Sequence, residues 1–71
     1  MSARQPLAAR AAFEIRFQSL FSVGRGLSFP CDAHGDVALD NLTERERLNY
    51  LAARALVGRE YATPQVMRAD A

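Results

Sequence analysis

The sequence predicts a small α+β domain: a mostly antiparallel sheet of three to four strands with one helix packed on a face, in the order β-β-β-α-β. Two observations carry this expectation. Phe13, Ile15 and Phe17 alternate with Glu14, Arg16 and Gln18, the two-residue repeat of a half-buried strand. Further along, Thr43 to Gly58 holds a complete set of helix start and stop signals.

The first strand is expected over residues 13–21. Phe13, Phe17, Leu20 and Phe21 would also fit one face of a helix, but the alternation is strict and rich in β-formers. Residues 22–26 read as a loop, with Gly24 and Gly26 flanking Arg25. Leu27, Phe29 and Cys31 share one face of a second strand. Pro30 has no N–H to give a ladder, so this strand belongs at an edge. Asp32, Ala33, His34 and Gly35 form a tight connection, and Val37 and Leu39 face inward on a third strand that completes a hairpin.

The helix begins at a capping box, Thr43 with Glu46 three residues on. Leu48, Leu51, Ala52, Ala55 and Leu56 then recur at helical spacing as the stripe expected to face the sheet. Gly58 supplies a left-handed stop, and Arg54 and Arg59 suit the negative end of the helix. Residues 61–67 return as a short strand that Pro64 confines to an edge. The expected organisation is a flexible arm over residues 1–12, with an alanine-rich turn within it, one domain over 13–67 and a tail over 68–71.

With 71 residues the chain is near the lower end for independent folding, so its core supplies only a few kcal/mol of net stability. Its single cysteine, Cys31, cannot form an internal disulfide, which raises oligomerisation as an expectation. Half the residues are apolar and a quarter charged, which excludes disorder throughout. All nine basic residues are arginine, a usage that fits a GC-rich bacterial coding bias, since they are scattered. A net charge of +1 does not argue for nucleic acid by itself. No stretch approaches the roughly 18 apolar residues of a membrane span. A free cysteine and an N-terminus without an apolar signal segment point to the cytoplasm.

Four features could carry function. On the helix, Tyr50, Ala53 and Val57 lie opposite the leucine stripe. A helix packed on one sheet needs one apolar side, so a second side is read as a protein interface, with another copy as the simplest partner. Cys31, Asp32, His34 and Asp36 cluster at a turn and bring thiolate, imidazole and carboxylate ligand types together, or a nucleophile beside a base. Their spacing matches no zinc or calcium motif and the chain leaves little room for a substrate pocket, so no metal, cofactor or enzyme activity is assigned. Gly24, Arg25 and Gly26 could bring amides and a guanidinium to a phosphate, but lack the fuller glycine pattern of a phosphate loop. Finally, Arg4, Arg10, Arg16 and Arg25 stand against Glu14 alone in the first 26 residues. Glu14, Arg16 and Gln18 could present a polar ribbon to a DNA groove as in ribbon-helix-helix repressors, though the two helices that fold requires do not follow.

Two segments, GRGLSFPCD at 24–32 and LVGREYATP at 56–64, together with the helix between them, resemble a type of small uncharacterised bacterial protein. The resemblance covers about two-thirds of the chain. It implies a bacterial, cytoplasmic protein and transfers no site residue. The leading expectation is therefore a non-catalytic interaction or accessory module, homodimeric through Tyr50, Ala53 and Val57. A nucleic-acid module using the N-terminal arginines is the alternative, and a metal or thiol site at Cys31 and His34 the third reading.

Overall fold

The computed structural model of the chain describes residues 12–69. The alternating segment forms β1 (Phe13–Gln18), and it is the centre of the sheet rather than its edge. β2 (Gly26–Cys31) lies antiparallel on one side, pairing Phe13 with Cys31 and Gln18 with Gly26 at its two ends. β3 (Gln65–Arg68) lies antiparallel on the other, from Phe13 opposite Arg68 to Arg16 opposite Gln65. A short 3₁₀ turn (Leu39–Asn41) precedes the helix α1 (Glu44–Ala55). The α+β class and the antiparallel sheet with one helix are as the sequence predicts. Pro30 sits in the edge strand β2, where a missing N–H is tolerated.

The pleat sends Ile15 and Phe17 of β1 to the same side as Phe29 and Cys31 of β2. There they meet Leu42, Tyr50 and Ala53 in one core, with Val37, Leu39, Val57 and Tyr61 packed at its margin. Phe17 is the hub. It is 1% exposed and takes Phe29, Tyr50 and Tyr61 edge-on, at centroid distances of 6.0, 6.1 and 6.4 Å. Phe29 and Tyr50 close the cluster at 5.2 Å. Edge-to-face rings add about 0.5–1.5 kcal/mol per pair to their area burial. That matters in a domain whose total stability is small.

The capping box forms as expected. Thr43 Oγ1 accepts from the Glu46 amide at 3.1 Å and Glu46 Oε1 accepts from the Thr43 amide at 2.8 Å. Beyond the helix, the amides of Arg59, Glu60 and Tyr61 all donate to the Leu56 carbonyl, and Gly58 adopts φ +88° to allow the reversal.

The helix turns a different face to the sheet from the one its leucines predict. Tyr50 is 7% exposed and Ala53 is 0% exposed, and Val57 packs against the core. The expected interface residues Tyr50, Ala53 and Val57 are thus the inner face. Leu48 and Leu51 stand outside, 61% and 43% exposed. Ala53 lets the helix backbone come close to the sheet, and that proximity brings the Tyr50 ring against both Phe17 and Phe29. One aromatic at close range fills the site better than a row of leucines held farther away.

The third strand expected at Val37 and Leu39 does not form. The Asp32 carboxylate accepts the amides of His34 and Asp36 at 2.8 and 2.9 Å. Asp32 also bonds Asp36 and Gly35 through its backbone, with Gly35 at φ +87°. These local bonds close the turn on itself, and the chain enters the 3₁₀ turn at Leu39 instead of continuing as a strand. Val37 and Leu39 still reach the core, from a loop and the 3₁₀ turn. β1 ends at Gln18, short of the expected residue 21, and β3 reaches Arg68, past the expected start of the tail. The expected arm lies outside the described residues but for Ala12.

Gly26 shows how tightly β1 and β2 meet. A Cβ there would collide with the Phe17 carbonyl oxygen and lie 3.2 Å from the Gln18 Cα, both backbone atoms. Gly26→Ala should therefore cost about 1–3 kcal/mol, the range for overpacking. A lower urea midpoint with unchanged m-value is the expected reading.

Candidate interaction surface

The residues singled out by the sequence do not converge on one site. Cys31 and Asp32 line an open cleft of about 370 Å³ with Pro30, Asp36, Val37, Ala38 and Asn41. Burial, reinforced by the nearby charges of Asp32, Glu14 and Asp36, pushes the Cys31 thiol up from its ordinary value. That shift opposes formation of the thiolate, the species a nucleophile or metal ligand requires. Among the described residues no group of three or more His, Cys, Asp or Glu side chains could hold a metal ion. Native Cys31 should react with a thiol reagent at pH 8 roughly tenfold or more slowly than the unfolded chain. Equal rates would show an open, activated thiol.

The turn beside it is an electrostatic device of a structural kind. The Asp36 amide holds the Asp32 carboxyl below its usual range; burial opposes it as the next largest effect, and the His34 amide adds to the lowering. A depressed carboxyl stabilises the turn fully above its unfolded pKa, about 3.9, and that contribution is lost as pH falls through the lower native value. The amide resonances of His34 and Asp36 should accordingly titrate with a midpoint below about 3.9.

The arginines are dispersed. Arg16 lies on the face of the sheet away from the helix, reaching Ser28 Oγ through Nη1 and Gln18 Oε1 through Nε, each at 3.4 Å. Arg25 is on the β1–β2 connection, where its carbonyl accepts from Gln18 Nε2 at 2.9 Å. Arg4 and Arg10 lie outside the described residues. Glu14 shares the strand with Arg16, and no basic stripe of the kind a nucleic-acid surface needs joins Arg16 to Arg25.

Sequence reasoning missed the connection between β1 and β2 as a surface, treating it as a spacer. Residues 19–25 are built around Ser19, whose Oγ accepts from the amides of Phe21 and Ser22 at 3.1 and 3.0 Å. Its own amide donates to the Arg25 carbonyl at 2.8 Å, Arg25 donates back to Ser22, and Leu20 donates to Glu60 at 2.9 Å. Gly24 takes φ +83° at the tip. These bonds leave Leu20, Phe21 and Val23 facing outward, with Phe21 77% exposed. The signal in the sequence was an apolar run with no strand partner, Leu20, Phe21 and Val23 within four residues.

A second apolar surface lies on the outer side of α1, where Leu48, Leu51, Ala52 and Ala55 are all exposed. None of the described helices is long and apolar enough to cross a membrane. No protein-family model matches this chain, and neither a curated protein nor a solved structure matches it.

Proposed function

We propose that this protein is a non-catalytic interaction module of the bacterial cytoplasm, whose contact with a protein partner is made by the β1–β2 connection. The observation that carries the reading is the exposure of Leu20, Phe21 and Val23 on a loop held by its own hydrogen bonds. Holding three large apolar side chains in water is unfavourable, and the core is complete without them. An exposed aromatic beside two exposed aliphatic side chains, on a backbone already held by hydrogen bonds, forms an apolar patch of the kind that marks a contact surface. The free Cys31, with its raised pKa, suits a reducing compartment. The arginine-only usage and the GRGLSFPCD and LVGREYATP segments support a bacterial source.

The reading is tested with a photo-crosslinking amino acid at position 21, and at Thr63 as the exposed control, in cells that produce the protein. A discrete adduct from position 21 and none from 63 is expected, and its mass distinguishes a second copy from another protein. No adduct from position 21 would overturn the reading.

A further inference from the structure

The outer strip of α1 has a charge pattern that selects its partner. Glu44, Leu48, Leu51 and Ala55 follow the three- and four-residue spacing of a helix seam, with Ala52 beside them. Arg45 borders this seam on one side, and Arg47 and Arg54 border it on the other. Arg45 and Arg47 have no ion-pair partner among the described residues. Arg54 lies over the Tyr50 ring at 5.7 Å, which fixes its place at the margin of the strip. Of the nearby acids, Glu46 is folded back onto the Thr43 amide and Glu44 sits at the N-terminal end.

We infer that this strip docks an amphipathic helix of another protein whose apolar residues are flanked by aspartate or glutamate, and that the same arginines oppose antiparallel pairing with a second copy of this chain. Two such strips packed antiparallel would place Arg47 against the copy's Arg54, a like-charge contact at each end. An acidic helix reverses the sign of each of these contacts. The exposed alanines at 52 and 55 let a second helix backbone approach closely, and Leu48 and Leu51 supply the anchors. The inference rests on the interaction reading above but uses a different surface, so the two fail separately.

The test titrates the full chain, labelled with ¹⁵N, with a synthetic three-heptad helix carrying leucine along its seam and glutamate at every flanking position. A second peptide carries lysine at those positions. Vesicles of anionic lipid and a short DNA duplex serve as the remaining probes. The glutamate peptide is expected to shift the amides of Leu48, Leu51, Ala52 and Ala55, to bind about tenfold more tightly than the lysine peptide, and to weaken with added salt. R45E/R47E, which touches neither the core nor the cap, should reverse that preference while leaving the melting temperature within a few degrees.

Equal binding of the two peptides, binding of neither, shifts on another surface, or a preference of the strip for vesicles or duplex would overturn the inference. So would a dimer of the parent chain, seen by light scattering, that Leu51→Glu abolishes. An adduct at position 21 alongside any of these results would leave the interaction module standing and remove only the acidic partner.

Discussion

Phe17→Ala is expected to leave the chain unfolded at 25 °C. Phe17 is the most completely buried large side chain of the described residues, and three rings meet it edge-on. Truncating a buried phenylalanine costs about 3–5 kcal/mol. A domain of this size holds only about 3–5 kcal/mol from its core. The two quantities are equal within their range, so the variant has nothing in reserve. Far-UV circular dichroism in the absence of denaturant should show loss of the helix. Phe17→Leu, which keeps most of the volume, should fold with a lowered urea midpoint. A Phe17→Ala variant that melted with the parent would mean that the ring cluster is not the core.

The second large effect is a contrast between neighbours on the helix. Tyr50→Glu places a carboxylate against Phe17 and Phe29, with only the exposed Arg54 guanidinium at the margin of the site to offset its burial, and should unfold the protein at neutral pH. Burial raises the pKa of such a group, so part of the lost structure should return as the pH is lowered and the side chain becomes neutral. Leu51→Glu, one residue later and 43% exposed, should change stability by no more than about 0.5 kcal/mol. Thermal denaturation of the pair reads the orientation of α1 directly. The opposite ranking would restore the leucine stripe as the inner face.

What the sequence made legible was whatever is decided within a few residues. The strict alternation from Phe13 to Gln18 favours a strand with one face buried over the helical face that Phe13, Phe17, Leu20 and Phe21 would also fit, and the Thr43 and Glu46 pair marks a helix start through two bonds that both lie in one turn. Gly58 could be read as a stop for the same reason, since its positive φ is a local requirement. The orientation of α1 was not local. Leu48, Leu51 and Leu56 outweigh Tyr50, Ala53 and Val57 on any hydrophobic scale, and only the fit of the Tyr50 ring among Phe17 and Phe29 reverses the choice. The missing third strand was a competition between two local solutions. Val37 and Leu39 have strand spacing, but the Asp32 carboxylate holds the amides of His34 and Asp36 in a closed turn and Leu39 begins a 3₁₀ turn. The candidate surfaces suffered from both effects. Once the helix is turned, Tyr50 leaves the surface and Leu48 and Leu51 take its place. Leu20 and Phe21 fall within the strand expected over 13–21, and Val23 within the expected loop, but β1 stops at Gln18 and all three lie on the connection.

The placement of β1 between β2 and β3 divides the sheet into a pairing that is local in sequence and one that is distant. β2 follows β1 across a short connection, so that hairpin can close on a timescale of about 1–10 μs. β3 comes from the far end of the domain, and Phe13 finds Arg68 only after the intervening helix has been brought round. Closing that long loop must be met before its few contacts give anything back. β3 is also short, and three of its four residues are exposed. It is therefore the element whose release costs least. Native-state hydrogen exchange should find the β1–β3 amides opening in a separate, lower-energy event while the β1–β2 hairpin and α1 stay protected to the global limit. Each such opening bares one edge of the central strand, so the protein carries in its own C-terminal strand the competitor that keeps a foreign strand from pairing there.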